Sequence, residues 1–157
     1  MKTRRILTLT AIAALVALVV MSAGRGTKPV QAKTAVDQPQ VPAGVYITTI
    51  TPADIPPEFP PEAIPVLVGT WQIELTEEGA NIVSKDGEVV VIGSYTASPS
   101  HVVLRDEEGP LACFDGHGIA TGVYNWSFQN NELVLTPVLD RCAGRRIVSS
   151  AHPLQLQ

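Results

Sequence analysis

Cys113, Asp115 and His117 alternate through a glycine-rich stretch and bring a thiol, a carboxylate and an imidazole within five residues. Such a set suits a metal ion, or a thiol–imidazole pair if the cysteine stays free. The only other cysteine is Cys142. In an oxidising compartment, which the N-terminus argues for below, an even pair ordinarily forms a bridge. Two free thiols or a metal pair are the alternatives, but no further cysteine exists and the spacing is far from CxxC. A Cys113–Cys142 bridge is therefore expected. Closing a loop of that length contributes roughly 3–4 kcal/mol in the chain-entropy account, and it leaves Asp115 and His117 as incidental polar residues.

The remaining reactive residues point to no active site. His101 opens a strand-like run and His152 stands before Pro153 near the end of the chain. Ser149 and Ser150 lie outside any Gly-x-Ser-x-Gly elbow. The carboxylates gather at Glu77-Glu78 and at Asp106-Glu107-Glu108, both read as turns, where like charges are solvated. Acid/base work would need burial that those positions lack. No phosphate-binding glycine loop, EF-hand or HExxH motif occurs. A non-enzymatic protein without cofactor or metal is expected.

The N-terminus carries an address. Lys2, Arg4 and Arg5 precede an apolar run from Ile6 to Met21, and Val30-Gln31-Ala32 fits the small-x-small pattern of signal cleavage. Residues 1–32 read as a signal peptide cleaved after Ala32, with an uncleaved membrane anchor as the competing reading. The destination is secreted, or cell-surface if the leader is retained. The leader takes five of the 11 Lys and Arg and none of the 15 Asp and Glu, so the mature chain has a formal charge of −9. That balance repels phosphate backbones and anionic lipid, which argues against nucleic acid as a partner and limits membrane association to a retained leader.

The elements that would position any site are strands. Residues 33–43 are polar with Pro39 and Pro42 and read as a linker. Gly44–Ile50 is β-branched and aromatic. A proline-rich strap over 52–65 follows, too rich in proline for more than one helical turn near Pro61–Ile64, with Ile55, Phe59 and Ile64 to pack down. From Gly69 the chain meanders through 70–76, 80–85, 88–97, 101–106, 119–128, 132–138 and 145–151, and 153–157 is left as a tail. Asp86-Gly87 is the sharpest hairpin signal. Eight short strands suffice for an all-β, antiparallel up-and-down barrel over residues 44–152, carrying one disulfide. The loops holding Cys113 and Cys142 are separated by two strands, so they fall at the same end. A weak repeat runs in parallel: Gly93-Ser-Tyr95 leads to Cys113 as Gly122-Val-Tyr124 leads to Cys142.

Gly69-Thr70-Trp71, at the start of a strand that opens a meander, resembles the Gly-x-Trp signature of the lipocalins and the wider calycin group. The ordered set of Tyr46–Thr51, Asp54–Pro57, Gly69–Trp71 and Cys142-Ala-Gly-Arg145 is similar to small secreted lipocalin-like domains of bacteria. The resemblance spans roughly residues 44–152. It implies a structural barrel end in which Gly69 starts the strand, and Trp71 packs beneath a basic side chain from the last strand, Arg145 or Arg146, in a stack of about 0.5–2 kcal/mol. It also implies a ligand cup, although a strand and a strap precede the signature here and the chain is shorter than full-length lipocalins.

The inward stripe would line that cup. Ile73, Leu75, Val91, Val103 and Leu135, with the aromatic surface of Tyr95, Tyr124 and Trp126, are its candidates, and Val89, Val123, Leu133 and Phe128 belong to the same set. A chain that is 5% aromatic lines only a modest pocket, so the expected ligand is small and apolar or weakly polar. The expectation is an exported monomer that sequesters or carries such a molecule. The alternative is a protein-interaction module, such as a barrel-type peptidase inhibitor. A void favours the first, a filled barrel the second, and a polar cluster around His117 would favour chemistry.

Overall fold

Apolar residues recur at every second position from Trp71 to Leu75 and again at Val102 and Leu104, which commits those segments to strands with one face buried. The computed structural model, which describes residues 40–114 and 120–157, assembles eight such strands: β1 (Gly44–Ile50), β2 (Gly69–Leu75), β3 (Ala80–Lys85), β4 (Glu88–Ala97), β5 (His101–Glu108), β6 (Thr121–Gln129), β7 (Glu132–Leu139) and β8 (Leu154–Leu156). Each pairs antiparallel with the next, and β8 pairs back onto β1 to close the barrel. Closure matters because an open sheet would leave a row of unpaired backbone groups at each edge. The leader, residues 33–39 and the Asp115–His117 segment lie outside the described residues.

Turn chemistry sets the registers. Asp86 and Gly87 both have positive φ, at 51° and 90°, as do Asn130 and Asn131 at 52° and 62°. Two consecutive left-handed residues are what a two-residue hairpin loop needs to match strand twist, and Asp, Asn and Gly tolerate that conformation best. Gly93 meets a different constraint: a β-carbon there would run into the Arg105 carbonyl, at the bulge where the β4–β5 register shifts.

The strap between β1 and β2 packs against the domain with Ile55 buried and Phe59 and Ile64 half-buried against the core. It holds two short 3-10 turns and one α-helical turn, α1 (Ile64–Leu67). Three boundary readings are corrected. Residues 145–151 are not a strand: Ala143–Ser150 forms the helix α2. The closing strand is β8, in the segment read as a tail, where Leu154 pairs with Leu133, and Gln155 pairs with both Ile47 and Glu132. Val41, read as linker, is buried in the core, and Tyr46 Oη donates to the Pro42 carbonyl at 2.6 Å.

The interior is divided. At one end Val41, Leu75, Val102, Leu133, Leu135 and Leu154 pack so closely that only about 10 Å³ is left between them. The other end, under the strap and α2, is open inside and holds the site described next.

Leu154 is wholly buried, so Leu154→Ala is expected to lower unfolding free energy by about 2–4 kcal/mol. Gln155→Ala, on the exposed face of the same strand, is expected to change it by about 0.5 kcal/mol or less. Urea titrations compare the two; a loss at Leu154 as small as that at Gln155 would remove β8 from the closure.

Candidate functional site

α2 is built from its first turn outward. Asp140 Oδ1 accepts the Cys142 backbone N–H at 2.8 Å, and Cys142 Sγ accepts the Arg145 N–H at 3.3 Å, which caps the helix. Cys142 is bridged to Cys113, so the same residue ties α2 to the segment after β5. Ile147, Val148 and Ser149 are buried, while Arg146 is exposed.

Arg145 turns inward beneath this cap. Its side chain is only 8% exposed and makes two bonds to Asp140, Nε to Oδ2 and Nη2 to Oδ1, each at 2.8 Å. Nη1 reaches Asp106 Oδ1 at 3.0 Å and donates to the Ala120 carbonyl at 3.0 Å. Tyr124 Oη donates to Asp140 Oδ2, and Gly122 leaves room for that contact, because a β-carbon there would collide with the Asp140 carboxylate. Burial by itself would raise the Asp140 carboxyl, but hydrogen bonds from Arg145, Tyr124 and the Cys142 N–H outweigh it and hold the group below its ordinary value. Burial and the Asp140 carboxylate together push the Tyr124 phenol far up, so it stays a donor.

Arg145 and Asp106 of this cluster line a cavity of about 280 Å³, partly open to solvent. The roof is Phe59, Ala63 and Leu67 of the strap and α1, with Gly144 and Val148 of α2; the body is barrel side chains such as Trp71 and Leu104. Trp71 is held in place by donating its indole N–H to the Leu67 carbonyl at 2.7 Å. Asn81 also lines the cavity at 2% exposure, and its Oδ1 has no hydrogen-bond partner among the described residues. Leaving a buried amide oxygen unpaired costs about 1–3 kcal/mol. The other unpaired buried oxygen, Thr48 Oγ1, does not line the cavity.

The residues singled out from sequence distribute unevenly around this space. Ile73 and Val91 line the cavity; Leu75 and Leu135 belong to the packed end. Tyr124 is fully buried and serves the Asp140 cluster. Tyr95 and Trp126 are half-buried, bonded to the Thr76 and Ser98 carbonyls. Val103 is corrected to the outer face, since the inward phase of β5 is Val102, Leu104 and Asp106; Val123 likewise alternates away from buried Gly122 and Tyr124, and Val89 is exposed. Gly69 opens β2 with φ 137°, beside the Asp86 side chain. Arg145 and Trp71 both line the cavity, but the guanidinium is directed to carboxylates from a helix, not stacked from a last strand, and Arg146 is exposed.

Asp106, Asp140 and Asn81 are the site residues that sequence reading missed. Asp106 continues the alternation Val102-x-Leu104-x-Asp106, which signals an inward carboxylate in place of a solvated turn. No family model matches the chain, and no curated protein or solved structure matches it either.

Asp140→Asn removes one charge of a buried pair and is expected to cost about 3–5 kcal/mol at pH 7. Because the folded-state value of Asp140 is depressed, its contribution is complete above the unfolded carboxyl value of about 3.9 and disappears as pH falls through the lower folded one. The gap between wild type and Asp140→Asn in urea should therefore narrow below about pH 4. A gap constant from pH 7 to pH 2.5 would show that Asp140 is not the ionised partner.

Proposed function

We propose that this protein is an exported, non-enzymatic carrier or sequestering protein for a small, largely apolar molecule held in the cavity under α2. The observation that carries the reading is the division of the barrel: one end is packed to about 10 Å³, while the other keeps about 280 Å³ lined mostly by apolar side chains. Protein interiors seldom leave voids larger than a water molecule. Scaling from the roughly 150 Å³ cavity that accepts benzene, the space suits about ten to twelve non-hydrogen atoms.

Export is part of the same proposal. It rests on the signal-like residues 1–32 and on the Cys113–Cys142 bridge, which persists best in an oxidising compartment. A calycin relationship is supported by Gly69-Thr70-Trp71 opening β2 of an eight-stranded antiparallel barrel. The non-enzymatic reading is supported by Asp106, Asp140 and Arg145 being locked in mutual bonds, which leaves none of the three poised for proton transfer.

Calorimetric titration with p-xylene and 1-octanol is the test. Dissociation constants on the order of 1–100 μM are expected for ligands of this size. Val148→Phe, which pushes a ring into the cavity from α2, should abolish uptake without loss of the folded thermal transition. Failure of the wild-type protein to take up either probe, or equal uptake by Val148→Phe, would overturn the carrier reading.

A further inference from the structure

The polar groups around the cavity define a narrower ligand class than apolar volume alone, and this inference rests on the carrier reading above. Asn81 and Asp106 are both register partners of Gly93, on β3 and β5 either side of β4. Two strand spacings separate them, about 10 Å across one row of the barrel. Both residues are buried and line the cavity, with a glycine between them that presents no side chain.

Their states differ. Asp106 is fully engaged: one oxygen takes Arg145, and the other accepts the Cys113 N–H at 2.9 Å. Arg145 is engaged in turn by two carboxylates, so the cluster carries two negative charges against one positive. Arg145 is the only basic side chain that lines the cavity among the described residues. Among the described residues an entering carboxylate would meet no free cation and a surplus negative charge. Asn81 is the opposite case. Its carbonyl has no partner among the described residues, and an amide offers both a donor and an acceptor to whatever lies beside it.

We infer that the cavity selects uncharged molecules with a short apolar body and one group that both donates and accepts a hydrogen bond, a hydroxyl or a carboxamide, anchored on Asn81. Fatty-acid carboxylates of the same length are excluded by the charge of the Asp106–Arg145–Asp140 cluster.

The experiment uses four eight-carbon probes at pH 7 on the wild-type protein: 1-octanol, octanamide, octanoate and octylammonium, with p-xylene as the purely apolar control. Octanol and octanamide should bind at least 30-fold more tightly than octanoate. Asn81→Leu should weaken octanol roughly tenfold, the worth of one hydrogen bond, while p-xylene binds as well or better. Its thermal midpoint should not fall, since the substitution removes an unpaired polar group. Octanoate binding as tightly as octanol would overturn the inference and leave the carrier reading standing. Octylammonium binding most tightly would overturn it by moving the anchor to Asp106. Uptake of p-xylene with no effect of Asn81→Leu on octanol would overturn the role of Asn81. No uptake of any probe would sink the carrier reading and this inference together.

Discussion

One guanidinium holds the open end of this barrel together. Arg145 of α2 is bonded to Asp140 in the segment after β7, to Asp106 of β5 and to the Ala120 carbonyl just before β6. Asp140 adds Tyr124 of β6 and the backbone of Cys142, and Cys142 is bridged to Cys113. Four separate stretches of chain, at Asp106, Cys113, Ala120–Tyr124 and Asp140–Arg145, thus converge on one buried charge cluster. A buried ion pair is weak evidence for net stability, since desolvation offsets much of its attraction, but removal of a member leaves a charge without compensation. The cluster therefore acts chiefly as a constraint on where α2 can be.

That constraint explains why the chain forms a helix where alternation suggests a strand. In a strand, Arg145 and Ile147 would share one face, and Val148 would be turned to the other with Arg146. In α2, Arg145, Val148 and Ser149 fall on one side, which puts the charge on the carboxylates and Val148 over the cavity. Once α2 occupies the end of the barrel, the sheet needs only three residues, Leu154–Leu156, to close. The roof is then made of helix and strap side chains rather than interdigitating strands, and the space beneath it is left unfilled.

Much of the meander was legible because its signals are local. The hairpins at Asp86-Gly87 and Asn130-Asn131 follow from which residues tolerate positive φ, and the parity of an up-and-down sheet brought Cys113 and Cys142 to one end before any contact was known. The misreadings share a cause: each depended on a side-chain partner that composition and alternation do not reveal. Ile147-Val148 looks like strand until Asp140 and the bridge at Cys142 cap a helix around it. Asp106 looks like the start of an acidic turn until Arg145 supplies a buried cation. Val103 and Val102 are equivalent by composition, and only the inward demand of Asp106 fixes which one faces the core. The closing strand left a faint local trace in Leu154-Gln155-Leu156, but three residues after a proline carry too little periodicity to be told from a tail.

The unfilled end is costly in a specific way. Val83 and Ala63 both line the cavity, and a larger apolar residue at either would fill part of it, since surplus space in a core ordinarily lowers stability by roughly 24 cal/mol per Å³. Asn81 adds the penalty of an unpaired amide in the same place. Two independent costs thus fall in one location, beside a packed end with almost no void, and the proposed carrier role rests on that contrast. The bridge and the Arg145 cluster make that arrangement tenable, because they fix the roof through covalent and polar links instead of through packing against the floor. The roof can thus stay in place over the cavity whether or not it is filled, as the proposed carrier role requires and a packed core does not.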